Sequence, residues 1–344
     1  MIIPKRNSVI ARGIGSRQTK FNYLHFDSVG QFNGFVDHES KSLSDHNFEI
    51  LKEVNAGTQA KIDSGSEWYG QPAPVSLDEL DNHDSFLGIE LLKQIKPKIE
   101  RHLSDYLRYL ESYIMPKPKV SYNDRGLGMF SFDRAAMGLY QSGKIALGSP
   151  IEKTAAQINI ELGRDKINTR IKKVYAYFEH KDKSYPSIRL YLMAGANANV
   201  QGSDLLHVGL ACAELVEFLE LRGVAVEVNV LLGSAFRNQV CLASVRVKRF
   251  QDKTDKNLLL LLSSDPRYFR YRGFKALIAL SNHFGYKIPK GLGTLEESMG
   301  ETFVSAHDPK GFVFEQSYSL DNATKEVKRI IEIYKTRLDD AKKG

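Results

Sequence analysis

Cysteine is scarce in this chain, and its two cysteines, Cys212 and Cys241, both lie in apolar segments. They supply neither a disulfide framework nor a Cys/His zinc cluster, so we expect buried, unreactive thiols in a reducing compartment. Long apolar runs are missing too: the longest, such as 258–262, fall far short of the roughly 20 residues that a membrane-spanning helix needs. The N-terminus has no apolar stretch of signal-peptide length. The sequence therefore predicts a cytoplasmic protein with no membrane partner.

Motifs of known chemistry are also missing. None of the nine histidines has the spacing of a metal site. Gly13 with Gly15, and the segment 290–294, fall short of a phosphate-binding loop, and glycines placed in this way are typical of turns. No nucleophile elbow and no Cys–His pair can be assembled from neighbouring residues. We therefore predict no metal, no cofactor and no catalytic residue, although residues far apart in the sequence can still gather into an active site.

What the chain does have is enough apolar content for a core and an excess of basic charge. It has 344 residues, of which 42% are hydrophobic, and Lys plus Arg exceed Asp plus Glu by 48 − 41 = 7. A basic excess favours acidic partners, nucleic acid first. An excess this modest also occurs in proteins that bind no polyanion, so charge alone does not decide the partner.

Residues typical of turns and linkers divide the chain into three predicted parts. These are a loop-rich and helical N-terminal region at 1–118, an α/β domain at 119–290, and a C-terminal extension with an amphipathic helix at 291–344. Within the first part, 40–45 and 57–70 are predicted to be loops. Helical spacing of apolar residues follows from Leu87 to Ile114. The prolines of the segment 116–118 then predict a linker.

The segment 174–285 has the clearest pattern. Its predicted elements, in chain order, are a strand at 174–179, a strand at 188–193, a nearly buried helix at 203–222, a strand at 224–232, a strand at 239–249 and a helix at 265–283. Gly223 is placed to end the first helix, and Asp265 and Pro266 to begin the second. A further amphipathic helix is predicted near 321–341. This order predicts an open α/β sheet with helices on both faces.

One basic, aromatic stretch is a candidate binding surface. Between residues 245 and 290 there are eleven Lys or Arg and three Asp. Arginines and aromatics at this density suit phosphate contacts with base stacking. The candidate nucleic-acid-binding residues are Arg267, Arg270, Tyr271, Arg272 and Lys275. The alternative is a helix that turns Phe269 inward and places its arginines in water or in internal ion pairs.

The segment 187–235 contains an apolar strand, a turn of small residues, a buried helix that ends at Gly223, and a second apolar strand. In this it resembles the opening of a von Willebrand factor A-like domain, which implies a Rossmann-like sheet. In that family the turn carries the motif D-x-S-x-S, whose oxygens hold a metal ion. Aligning the strands places Met193, Gly195 and Asn197 at those positions. Because Met and Gly have no side-chain oxygen, the resemblance implies a degenerate metal site and no metal-dependent adhesion.

Six short motifs are distributed along the chain, namely Phe26-Asp27-Ser28, the loop 65–70, Phe132–Ala135, Gly148–Glu152, Val245–Lys248 and Ser264–Phe274. By these motifs the chain is similar, over about residues 26–285, to an uncharacterised group of bacteriophage proteins. The resemblance implies a phage or mobile-element protein without an assigned activity, which would act in the cytoplasm of the host cell.

Three hypotheses follow. The leading one is a non-enzymatic phage or mobile-element protein that binds a macromolecular partner, expected to be a protein, through a von Willebrand A-like domain without its metal. The alternative is a nucleic-acid-binding accessory protein that uses the basic surface at 246–275. The third is a hydrolase whose carboxylates are dispersed along the sequence.

Overall fold

A computed structural model describes residues 3–12, 18–67, 74–82, 93, 96–97, 100–101, 120–123, 129–131, 175–178, 187–195, 200, 202–221, 223–236, 238–289, 291–293 and 295–343. Its strands are β1 (Asn7–Arg12), β2 (Gln18–Phe26), β3 (Val120–Asn123), β4 (Met129–Phe130), β5 (Tyr175–Phe178), β6 (Ser187–Ala194), β7 (Ala225–Phe236), β8 (Gln239–Lys248) and β9 (Phe312–Phe314). Its helices are α1 (Val29–Glu39), α2 (Asp45–Ser64), α3 (Leu77–Asn82), α4 (Gly202–Leu221), α5 (Lys256–Ser264), α6 (Pro266–Tyr268), α7 (Phe274–His283), α8 (Met299–His307) and α9 (Leu320–Lys343). A π-helical turn, Phe269–Gly273, joins α6 to α7.

The fold is α/β and is built on a mixed six-stranded sheet in the order β1-β2-β8-β7-β6-β9. β6 is parallel to both β7 and β9, and β2 is parallel to β8. The remaining neighbours are antiparallel: β8 returns along β7 as a hairpin, and β1 pairs with β2. The sheet therefore joins the first 26 residues of the chain to its last third.

Helices cover both faces of this sheet, as the sequence predicts. Alternate residues of a strand point to opposite faces. Phe21 belongs to an apolar cluster with Phe303 of α8, whereas Phe26 packs on Phe32 and Phe35 of α1. The helix α7 lies on the α1 face, in a cluster that includes residues of α2.

The chain divides into two compact units, one formed by 1–114 with 186–344 and the other by 115–185. The first unit contains the six-stranded sheet. The second contains a three-stranded sheet in the order β3-β5-β4, in which both pairings are antiparallel. The division into 1–118, 119–290 and 291–344 stays a prediction, and strands from all three of those segments meet in the six-stranded sheet.

Local sequence explains where several elements begin and end. The side chain of Ser28 accepts a hydrogen bond from the backbone N–H of Gln31 and so caps α1. Gly223 follows α4 with φ 79°, a conformation that favours glycine. Asp265 caps α6 by accepting from the N–H of Arg267, and Pro266 occupies its first turn.

One expectation about helices is wrong. The predicted loop at 57–70 is helical as far as Ser64, because α2 continues through Gly57. Apolar residues are sparse in α2, so its helical period is weak in the sequence. The helix predicted at 265–283 is confirmed over 266–283, and within it a π-helical turn separates α6 from α7. The predicted linker at 116–118, and most of the helical run from Leu87 to Ile114, lie outside the described residues.

In the part of the chain that the structure describes, no helix combines the length and the apolar character that crossing a membrane requires.

Candidate functional site

The carboxyl end of β6 is where the von Willebrand A-like resemblance places a metal site. Met193 is buried in the apolar cluster that also contains Leu295 of the segment before α8. Gly195 has φ 113°, and a Cβ at this position would lie 2.8 Å from the ring of Phe269. Asn197 lies outside the described residues. The two described positions thus contribute a thioether and a backbone carbonyl, and both are tightly packed.

The carbonyl of Gly195 is already engaged. It accepts hydrogen bonds from the side-chain amide of Gln316, at 2.9 Å, and from the hydroxyl of Tyr318, at 3.3 Å. Both donors lie just after β9, so these hydrogen bonds connect the segments that follow the carboxyl ends of β6 and β9. The described residues contain no group of three or more His, Cys, Asp or Glu arranged to hold a metal ion.

A half-buried glutamate lies beside this edge. Glu315 follows β9 and accepts a hydrogen bond from the backbone N–H of Glu301 in the first turn of α8. Burial, helped by the nearby carboxylates of Glu326 and Glu301, raises the pKa of Glu315 to about 7, although that N–H group and Arg329 oppose the rise. Gly300 makes room for the carboxylate, since a Cβ there would lie 3.0 Å from Oε1. Sequence reasoning missed Glu315, because nothing in its local pattern indicates burial.

The basic, aromatic stretch lies in the interior. Arg267, Arg270, Tyr271 and Arg272 are each at most 5% exposed, and Lys275 is partly exposed. Burial of this kind corresponds to the alternative that places the arginines in internal ion pairs. Binding of nucleic acid by these residues stays a prediction, and it now requires the segment to become exposed.

Specific partners stabilise the buried arginines. The guanidinium of Arg272 lies 2.6 Å from the carboxylate of Asp37 and donates to the carbonyl of Asn33 at 3.2 Å. Arg267 lies 3.5 Å from Asp265, the residue that caps α6. Burial raises the pKa of Asp265, against the opposing effect of Arg267. A charged group that is removed from water requires such a partner.

The largest set of polar contacts crosses the sheet on the face that α8 covers, and sequence reasoning missed it. We name it the sheet-face polar cluster; its members are Tyr23, His25, Asp27, Arg189, Tyr191, Glu227, Asn229, Ser244, Arg246, His307 and Asp308. Strand register brings them together, since Arg189 is opposite Glu227, Tyr191 opposite Asn229, and His25 opposite Ser244.

Two arginines surround one buried glutamate at the centre of the cluster. Arg189 Nε lies 2.8 Å from Glu227 Oε1, and Arg246 Nε lies 3.6 Å from Glu227 Oε2. Arg189 also contacts Asp308 at 2.7 Å, and Arg246 contacts Asp27 at 3.0 Å. The carboxylates and guanidinium groups therefore alternate from Asp308, just after α8, across β6, β7 and β8 to Asp27, just after β2.

Both histidines of the cluster are held neutral. Burial lowers the pKa of His25, and Arg246 lowers it further, although Asp27 and Glu227 oppose the change. Burial likewise lowers the pKa of His307, whose ring stacks on Phe303 with 5.1 Å between centroids. The imidazole of His25 lies 3.3 Å from the hydroxyl of Ser244 and 3.2 Å from the guanidinium of Arg246.

One acidic group of the cluster, Asp308, is held in its charged form. Burial alone would raise the pKa of Asp308, but the hydrogen bond and the charge of Arg189 outweigh it and lower that pKa. The hydroxyl of Tyr191 donates to the same carboxylate at 3.1 Å, and its own pKa is raised by burial and by Asp308. A carboxylate beside an arginine is a weak base, so this arrangement is better suited to joining strands than to moving protons.

Comparison with known proteins gives one result. Residues 172–337 match a domain of unknown function (DUF7192). The DUF7192 match covers just under half of the chain and includes β5 to β9 and most of α9, but not β1, β2 or α1. It supports the expectation of an uncharacterised family. Comparisons with curated proteins and with solved structures give no match.

Proposed function

We propose that the chain is a non-enzymatic protein that binds a macromolecular partner, expected to be a protein, through a von Willebrand A-like domain without its metal. Strand order supports the domain assignment. From β6 onward the spatial order β8-β7-β6-β9 is the order 3-2-1-4 with which one common class of doubly wound sheets begins. The departure is β8, which is antiparallel to β7.

The observation that carries the proposal is the packing at the carboxyl end of β6. In doubly wound sheets, ligands bind at the topological switch point, where the connections from two neighbouring strands run in opposite directions. Here that point lies between β6 and β9. Gly195 and Met193 occupy that position, and Phe269 fills the space beside them. Ca²⁺ needs about six to eight oxygen ligands, whereas Met193 and Gly195, the two aligned positions that the structure describes, offer one carbonyl, which already accepts two hydrogen bonds. Partner binding without a metal is consistent with this chemistry.

Pairing within the sheet-face polar cluster supports the non-enzymatic part of the proposal. The carboxylates of Asp27, Glu227 and Asp308 each lie within 3.0 Å of an arginine nitrogen. Ser244 is completely buried, so its hydroxyl is not accessible to a substrate. A nucleophile needs access to its substrate, which Ser244 lacks, and a general base is weakened when an arginine is its hydrogen-bond partner.

The proposed setting is a bacteriophage or a mobile element. This part rests on the short motifs, from Phe26-Asp27-Ser28 to Ser264–Phe274, that resemble an uncharacterised group of phage proteins. The cytoplasmic location stays a prediction from the sequence.

Affinity capture from native or infected cells, followed by reconstitution with the purified partner, tests the proposal. We expect a saturable complex that survives both EDTA and nuclease treatment. Dissociation by EDTA would contradict the metal-free mode of binding. Loss of the complex on nuclease treatment would favour the nucleic-acid alternative at 246–275, and turnover of a substrate by the purified chain would contradict the non-enzymatic assignment.

A further inference from the structure

The two edges of the six-stranded sheet differ. At one edge, α9 covers the polar backbone of β9 and the residues before it. Arg329 donates to the carbonyl of Val313 at 2.7 Å, and Arg337 donates to the carbonyl of Lys310 at 2.6 Å. The guanidinium of Arg337 also lies 4.2 Å from the ring centre of Phe312. This edge is therefore closed to a further strand.

The other edge is open as far as the structure describes the chain. β1 is the last strand in the sheet order, and its pairing partner among the described strands is β2. Its six residues pair with β2 in unbroken register, from Asn7 opposite Tyr23 to Arg12 opposite Gln18. Ile10, in the middle of the strand, is 64% exposed. An unbroken, partly apolar edge strand presents a row of backbone donors and acceptors to another chain.

The charge at this edge has one sign. The first 26 residues contain Lys5, Arg6, Arg12, Arg17 and Lys20, and no Asp or Glu. Of these, Lys5, Arg6, Arg12 and Lys20 are exposed in the structure. An incoming strand that carries carboxylates would be attracted electrostatically as well as through backbone hydrogen bonds.

We infer that β1 is a docking edge for an extended, acidic segment of a partner protein, which adds to the sheet as a further strand. This inference rests on the proposed function, because it specifies how the partner binds. Strand addition of this kind obtains affinity from main-chain hydrogen bonds and specificity from alternate side chains. The docking edge lies outside the segment that matches DUF7192.

The two faces of β1 predict an alternating pattern in the docked segment. On one face, Val9 and Ala11 pack with the apolar cluster beneath α8. On the other face, Ser8, Ile10 and Arg12 are exposed, and Lys20 is opposite Ile10 on β2. A docked segment should therefore alternate apolar residues, which face the α8 side, with Asp or Glu on the face of Arg12.

A second copy of this chain fits the edge poorly. Pairing of two β1 strands would bring Lys5, Arg6 and Arg12 of both copies together, and like charges on neighbouring strands are destabilising. Basic residues on an edge strand also act against self-pairing. The charge thus selects an acidic partner and disfavours dimerisation.

A fluorescent peptide that alternates valine with glutamate is the probe, and anisotropy is the measurement. We expect saturable binding that weakens with salt. Two N-methylated versions of the peptide distinguish strand addition from simple charge attraction. Each version blocks the backbone N–H groups on one side of the strand only. One version should lose binding and the other should retain it, because a docked strand presents only one side to β1.

Charge reversal on the protein locates the site. Lys5→Glu with Arg12→Glu should weaken peptide binding by roughly tenfold or more, because both attractions become repulsions. Lys310→Glu with Lys325→Glu makes the same change in net charge near the closed edge and on α9, and should leave binding unchanged. Circular dichroism and thermal melting of both double variants confirm that each is folded.

Each remaining outcome decides against the inference. No binding of the alternating peptide, equal loss in both charge variants, or equal binding by both N-methylated peptides would overturn strand addition at β1. Tighter binding of a single-stranded oligonucleotide than of the peptide would indicate a nucleic-acid partner instead, and concentration-dependent dimers lost in the Lys5/Arg12 variant would indicate a second copy. If the captured partner still binds the Lys5/Arg12 variant, the inference fails and the proposed function stands; if no partner is captured at all, the proposed function fails.

Discussion

Replacing Glu315 with Gln should remove a large part of the pH dependence of stability. The pKa of Glu315 is about 7 in the folded protein, and we take the ordinary glutamate value of 4.5 for the unfolded chain. Between these values the folded state binds the proton and the unfolded state does not. The contribution of Glu315 to stability should therefore be greatest below pH 4.5, fall as the pH rises to about 7, and stay constant above it. A shift of this size corresponds to about 3 kcal/mol at most.

Glu315→Gln keeps the oxygen that accepts from the N–H of Glu301 and is neutral at every pH. The variant should match the wild type near pH 4.5 and exceed its free energy of unfolding by up to about 3 kcal/mol above pH 7. Burial lowers the pKa of His25 and His307, so their contribution rises with pH below 6.5 and has the opposite sign.

The assay is urea unfolding at a series of pH values, with the variant profile subtracted from that of the wild type so that the histidine contributions cancel. Glu332→Gln, on the exposed surface of α9, is the matched control and should leave the profile unchanged. Parallel profiles for wild type and Glu315→Gln would refute the reasoning, because they would mean that the carboxyl is solvated or already paired.

Three further results are expected. Thiol reagents should label neither Cys212 nor Cys241 in the native protein and both after denaturation, since burial raises the pKa of each thiol; rapid native labelling of either would contradict their burial. Gly209→Ala should lower the free energy of unfolding by about 1–3 kcal/mol, because the new Cβ would lie 2.0 Å from Ser264 Oγ where α4 meets α5; an unchanged urea midpoint would show that the helices separate easily. Melting curves with and without excess Mg²⁺ or Mn²⁺ should superimpose, because the described positions Met193 and Gly195 offer a thioether and a carbonyl that already accepts two hydrogen bonds; a saturable upward shift would count against this.

The segment from β6 to β8 could be predicted from sequence because its signals are local. β6, β7 and β8 are rich in apolar residues, and Gly223 ends α4 in the left-handed conformation. β1 and β2 could not be placed in the same way. β2 reaches β8, its parallel neighbour, across more than 200 residues, and pairing at that distance depends on tertiary packing that one sequence does not display.

The sheet-face polar cluster corresponds to a pattern in the sequence, but that pattern can be interpreted only when the strand order is known. Four strands each contribute polar residues two positions apart, as in Tyr23 with His25 and Ser244 with Arg246. Such spacing places both side chains on one face. Without the strand order, nothing indicates that these pairs meet. The basic stretch misled sequence reasoning in a different way. Its composition suggests an exposed surface, whereas partners such as Asp37 stabilise Arg272 in the interior.

The sheet-face polar cluster and the docking edge are connected through β2. Arg246 of β8 contacts His25 of β2 and Asp27, which directly follows β2. A shift of β2 by one residue would turn both side chains to the opposite face and leave Arg246 beside apolar residues. These contacts therefore favour the register in which the N-terminal hairpin joins the segment that matches DUF7192. Because β1 follows β2 in unbroken antiparallel register, the same contacts determine where the open edge lies and which of its side chains face a partner.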